Sequence, residues 1–137
     1  LWGTVEARVE TAKDIHVIRD APRGGGGTVL YEIAGQSHVG IHLDSQAIPV
    51  DPAVRGVCGM LGLEPLYLAC EGRLVIFAPK AVAGDIVATL RQGKYSKDAA
   101  IIGEVTADQP GRVIMRTEIG AETLLPPPGG ELLPRIC

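Results

Sequence analysis

Apolar positions along the chain keep two rhythms, one of about 3.6 residues and one of two, and their alternation lays out the elements. In residues 1–12, Trp2, Val5 and Val9 share one face at helical spacing. A short β-type run, Ile15-His16-Val17-Ile18, leads into Arg19-Asp20-Ala21-Pro22-Arg23 and four glycines, Gly24 to Gly27. Helical spacing returns over residues 28–36, and residues 39–43 alternate as a strand does. Asp51-Pro52 is a helix start, an N-cap acid with proline in the first turn. That helix is expected to run to about Leu61 and to stop at Gly62. Residues 66–69 are apolar without a clear period. Residues 73–78 (RLVIFA) are nearly all apolar, which predicts a central strand covered on both faces. A helix is expected over residues 79–90, with Val82, Ile86, Val87 and Leu90 as its buried stripe. Strands follow at residues 99–105, 112–117 and 121–125, the last two as a hairpin around Ile119-Gly120. No internal repeat is evident.

Helices interspersed among five or more strands predict an α/β or α+β domain, layered α/β/α around a mixed sheet. The late strands follow one another without a helix, so antiparallel pairing is expected at that end. At 137 residues the chain fits one domain, long enough to bury roughly two-thirds of its unfolded surface. Aromatics make up only 4 %, so the core is expected to be aliphatic. The formal charge is −3 with no block of one sign, which argues against nucleic acid or an anionic membrane as partner. Three cysteines, Cys58, Cys70 and Cys137, have no CxxC spacing, which argues against a zinc ribbon or disulfide framework and fits a reducing cytoplasm. There is no signal peptide and no apolar run near eighteen residues. The chain begins at Leu1 rather than Met, as an excised domain would.

The candidate chemistry lies in three places. The glycine run between a strand and a helix exposes backbone N–H groups beside a helix start, which suits phosphate. Arg23 would add a bidentate clamp, and Asp20 would orient that arginine or a metal-bound water. A loop that merely turns the chain explains the same composition. Glu71, at the mouth of the RLVIFA strand and followed by Gly72, is placed to act as a general base; a turn residue, or an ion-pair partner for Arg73, is the plainer reading. His38 and His42, four apart on a strand, would stand about 13 Å from each other and cannot share one ion. Cys58 on its helix reads as buried and inert, and Cys70 as structural.

The third place is the tail, residues 126–137 (PPPGGELLPRIC), set off from a body at residues 1–125. Prolines and glycines resist both helix and sheet. Leu132, Leu133 and Ile136 form a short apolar arm that ends in the Cys137 thiol. A stalk that ends in a nucleophile reads as a delivery device, although an accidental chain end would look the same.

Taken together, these stretches resemble the HypE family of carbamoyl dehydratases, which serve [NiFe]-hydrogenase maturation. HypE belongs to the superfamily of aminoimidazole ribonucleotide (AIR) synthetase. The matching residues are His16 to Gly25, Glu71-Gly72, Ala99 to Val105 (AAIIGEV) and Pro134-Arg135-Ile136-Cys137. The terminal Pro-Arg-Ile-Cys is the specific part; the glycine loop and Ile-Gly-Glu-Val point only to the superfamily. The family loop usually reads Asp-Pro-Thr-Arg-Gly-Gly, where this chain has Asp20-Ala21-Pro22-Arg23-Gly24-Gly25, and Cys70 stands where the family often has Asn.

The resemblance implies a PurM-like C-terminal domain whose Cys137 is carbamoylated by HypF and then dehydrated to a thiocyanate with ATP. The cyanide passes to iron on a HypC–HypD scaffold. It implies Glu71 as base, and Asp20, Arg23, Gly24, Gly25 and Gly26 facing the nucleotide phosphates. ATP and Mg2+ would be held mostly by an N-terminal domain, which would also make a homodimer, so this chain alone is expected to be inactive. Two rivals stand beside this reading. One is a non-catalytic interaction domain whose tail docks to a scaffold. The other is an ATP-dependent enzyme of the same superfamily acting on a small molecule.

Overall fold

The computed structural model describes residues 15–21 and 23–129. The helix expected over residues 1–12, Pro22 and the end of the tail, with Cys137, lie outside the described residues.

Ten short elements follow one another: β1 (Val17–Asp20), α1 (Gly25–Ser37), β2 (Gly40–Asp44), α2 (Pro52–Leu61), a 3-10 turn (Pro65–Tyr67), β3 (Leu74–Phe77), α3 (Lys80–Arg91), β4 (Gly103–Thr106), β5 (Val113–Arg116) and β6 (Glu122–Leu124). Four strands make a mixed sheet in the order β4-β2-β5-β6. Within it β2 runs parallel to β5 but antiparallel to β4, and β5 and β6 are the expected hairpin. Its turn is closed by bonds from Thr117 N–H to the Ala121 carbonyl at 2.8 Å and from Gly120 N–H to the Thr117 carbonyl at 2.9 Å. The α/β class and the antiparallel late strands are therefore as the pattern implies.

The remaining strands, β1 and β3, form an antiparallel ribbon of their own, with Val17 opposite Phe77 and Asp20 opposite Leu74. This corrects the expectation for RLVIFA. Among the described residues β3 pairs with β1 alone, and all four of its residues are half-buried. The strand is neither central nor fully covered: its apolar side chains are met only in part, Val75 and Phe77 packing against α1.

Helix α1 joins the two sheets. Its Leu30 and Ala34 pack with Ile41, Leu43 and Val113 of the mixed sheet, and with Leu66, Tyr67 and Leu125. Its Val29 and Ile33 pack with Val17, Val75 and Phe77 of the ribbon. Two apolar faces on one helix fit a buried central element. By contrast, α2 buries only Cys58 and α3 only Ile86, while Val82, Val87 and Leu90 of the expected stripe are half-buried.

The Asp51 carboxylate accepts from the Ala53 N–H at 2.8 Å, Pro52 takes the first helical position, and Gly62 ends α2 in the left-handed region, as its sequence predicts. Two expectations shift. Helix α1 begins at Gly25, inside the glycine run, and the strand at residues 99–105 shrinks to Gly103–Thr106. Among the described residues no helix is long and apolar enough to cross a membrane.

Candidate functional site

Strand β1 delivers Asp20 to one end of the ribbon, and beyond it the Ala21 N–H donates to the Arg73 carbonyl at 3.1 Å. That bond sets the Glu71-Gly72 turn beside the start of α1, because Arg73 directly follows the turn. Gly72 has φ +81°, a left-handed conformation that favours glycine and reverses the chain just after Glu71. Asp20, Arg23, the glycine run and Glu71 are thus brought to the same end of the molecule, although about fifty positions of chain separate the two stretches.

Their side chains are held to different degrees. One Asp20 carboxylate oxygen accepts from the Ala21 N–H at 2.8 Å, which ties the carboxylate to its own turn. Arg19 pairs with Glu32 at 2.9 Å and leaves Arg23 exposed, with no ion pair among the described residues. Glu71 is exposed and likewise makes no ion pair there, so the pairing with Arg73 is not formed. Glu71 and Cys70 line a broad open groove between the ribbon, α3 and the mixed sheet.

The glycine run is not an open loop. Gly24 is exposed and caps α1 in the left-handed region (φ +78°), and Gly25 follows at φ +64°. Gly25, Gly26 and Gly27 form the first helical turn and are buried. A Cβ on Gly25 would collide with the carbonyl oxygens of Leu66 and Leu68. A Cβ on Gly27 would stand 2.5 Å from Cε1 of Tyr67. The run therefore lets residues 66–68 cross tightly over the helix start. The first-turn N–H groups still have no partner within the helix, and with the helix dipole and Arg23 they suit a phosphate group at Gly24. In this respect the residues present fit a nucleotide's phosphates.

Other expected residues fall apart from this cluster. Cys58 is buried, as its position on α2 implies. His38 ends α1 in the left-handed region, and His42 lies in β2 with its Nε2 buried and unpartnered. Among the described residues no three potential ligands come close enough to hold a metal.

The root of the tail carries contacts that sequence reasoning missed. Leu125 is only 1 % exposed, and its N–H donates to the Val113 carbonyl at 2.9 Å. Its carbonyl accepts the Tyr31 hydroxyl, and the Pro126 carbonyl accepts the Tyr67 hydroxyl. Burial pushes the Tyr67 phenol up to about 12, helped by the neighbouring Tyr31 and Glu64. Burial also raises Tyr31, against the lowering effects of a Val113 backbone contact and Arg112. The available signal was the setting of two scarce aromatics in apolar runs, Leu30-Tyr31 and Leu66-Tyr67-Leu68, where a buried hydroxyl needs an acceptor.

Known proteins bear out the resemblance to HypE. Residues 4–116 match the family model for the C-terminal domain of AIR synthase related proteins. The carbamoyl dehydratase HypE of Cupriavidus necator is 46 % identical over the whole chain, which covers 39 % of it. That of Azotobacter vinelandii is 42 % identical, again over the whole chain and 40 % of its own length. The chain thus spans about two-fifths of these relatives. Among solved structures, HypE in complex with ATP superposes with a TM-score of 0.87 at 45 % identity, over 98 % of this chain and 42 % of that one. A HypE–HypF complex gives 0.86 at 34 % identity, over 92 % and 41 %.

Proposed function

Because the chain belongs to the AIR synthase-related family through that family's C-terminal domain, we propose that it is the tail-bearing part of a HypE-type carbamoyl dehydratase. The observation that carries the reading is the convergence of Glu71 with Asp20, Arg23 and the helix start at one end of the ribbon. A helix end suited to phosphate and a carboxylate with no ion pair among the described residues, at one end of the molecule, are what an ATP-driven dehydration needs.

The substrate is the Cys137 sulfur bearing a carbamoyl group, S–C(=O)–NH2. Amide oxygen leaves poorly, so ATP converts it to a phosphate ester. The base then removes the nitrogen protons as phosphate departs, leaving S–C≡N, ADP and phosphate. Glu71 is the base, and the N-terminal end of α1 with Arg23, Asp20 and Gly24 to Gly26 faces the phosphates. Magnesium would neutralise phosphate charge, and the rest of the protein supplies most ligands for it and for ATP, as well as a homodimer contact. This chain alone is therefore inactive. HypF loads the carbamoyl group, a HypC–HypD scaffold receives the cyanide for the hydrogenase iron, and the cytoplasm is the compartment. Residues 1–125 are the body and residues 126–137 the arm, a division supported by the buried Leu125 and the exposed residues 126–129.

The test uses the protein at the full length of its relatives, with a carbamoyl-transferring partner. Glu71→Gln should accept the carbamoyl group at the wild-type rate but lose dehydration by about 10²–10⁴-fold, the usual worth of a general base. Cys137→Ala should lose both steps. Dehydration at the wild-type rate in Glu71→Gln would remove the assigned base. Unchanged cyanide formation in Cys137→Ala would favour the docking-peptide reading.

A further inference from the structure

Tyr31 and Tyr67 are given no part in the dehydration just described, yet both spend their hydroxyls on the root of the tail. Four contacts meet there within two residues. The Leu125 side chain is buried, its N–H is bonded to Val113, its carbonyl takes Tyr31, and the Pro126 carbonyl takes Tyr67. Tyr67 also lies against Gly27, in the first turn of the helix that faces the phosphates. One side chain thus touches both the helix start and the base of the arm.

We propose that Tyr31 and Tyr67 are positioning residues that fix the origin and heading of the tail relative to the Glu71 end of the molecule. The inference rests on the dehydratase reading for its purpose, but not for its geometry. A carbonyl bonded at residue 125 and another at 126 set the direction in which the chain leaves the body. Pro126, Pro127 and Pro128 then hold φ near −65°, so a heading set at the root carries through a stiff segment roughly 9 Å long. From Pro127 to Cys137 the chain has eleven residues and an extended reach of about 36 Å. Flexible behaviour would shorten the typical span to about 18 Å. A thiol on so long a tether is diluted over a large volume unless its base points it. Both phenols are raised by burial, so both remain donors at neutral pH.

Two measurements decide it, using the Tyr31→Phe/Tyr67→Phe pair, which removes only the hydroxyls and keeps the ring against Gly27. In the first, a nitroxide is placed at Gly129→Cys with Cys70 and Cys137 changed to Ser; Cys58 is buried and does not label. The label should tumble at least about threefold faster in the double variant, because two net hydrogen bonds are lost at the base. Equal mobility with and without the hydroxyls overturns the clamp.

In the second, single-turnover dehydration in the full-length protein is followed on its own carbamoylated Cys137 and on a free peptide carrying S-carbamoyl cysteine. The double variant should slow the attached reaction about threefold to tenfold. The reaction of the free peptide and the affinity for ATP should stay unchanged. Pro127→Gly/Pro128→Gly, at exposed positions, should give the same pattern by softening the rod. Equal slowing of the attached and free substrates would mean a purely structural role and overturn the proposal. Absence of dehydration in the unaltered protein would defeat the dehydratase reading instead, and the nitroxide measurement would still decide the clamp.

Discussion

Gly27 has no side chain because Tyr67 occupies the space one would fill, while Gly35, later in the same helix, has nothing within 4 Å of where its Cβ would stand. The two positions therefore respond in opposite directions. Gly27→Ala should cost about 1–3 kcal/mol by forcing the tyrosine ring away. Gly35→Ala should gain roughly 0.5–1 kcal/mol from helix propensity alone. Urea denaturation of both variants checks the pair, and equal effects would mean that the ring does not rest on Gly27. Tyr67 supplies a pH signature. Its phenol is raised in the folded state to about 12 from an ordinary value of 10, chiefly by burial and then by Tyr31 and Glu64. A raised folded value means that the neutral form is favoured by folding. That stability is fully present below pH 10 and is lost as pH rises from 10 to 12. The thermal midpoint should fall between pH 10 and 11, and fall less in Tyr67→Phe; identical falls would contradict the assignment. None of this was legible in the sequence beyond the expectation that a buried hydroxyl finds an acceptor. The acceptors lie 94 and 59 positions away, and no local pattern encodes such distances.

Among the elements, α2 was legible to the residue. Its Asp51 cap, its Pro52 and its closing Gly62 act through bonds and dihedral angles set within a few positions. Asp51→Ala should cost about 1 kcal/mol, measured by denaturation, since it orphans the Ala53 N–H. No loss of stability would show that solvent replaces the cap. Helix α1 and strand β3 were legible in kind but not in extent or setting. The glycine run has weak helix propensity, so its spacing placed the start later; packing under residues 66–68 draws Gly25 to Gly27 into the helix. For β3, apolar content predicted a central strand covered on both faces, whereas its residues are half-buried and its register pairs it with β1 alone among the described residues. The ion pair of Arg116 with Asp44 at 2.9 Å joins neighbouring parallel strands and was equally invisible. Arg116 holds the Asp44 carboxyl below its usual range, yet the pair is exposed and adds little to stability.

At the scale of the whole molecule, the residues of the candidate site were legible as types and motifs, while their meeting was not. Asp20 and Glu71 look unrelated until the ribbon's register pairs Asp20 with Leu74 and bonds Ala21 to Arg73. The tail was legible as composition, and its rooting in the core through Leu125 came only from the fold. Helix α1 thus links two features: its own start, proposed to face the phosphates, and the exit of the tail, where Tyr31 of α1 and Tyr67 of the 3-10 turn bond the carbonyls of Leu125 and Pro126. The deciding measurement is the intact mass of the full-length protein after incubation with a carbamoyl-transferring partner and then with ATP. The expected result is a gain of one carbamoyl group on Cys137, followed by the loss of one water when ATP is added. A protein that gains no carbamoyl group on Cys137, or that keeps it unchanged in the presence of ATP, would contradict the assignment.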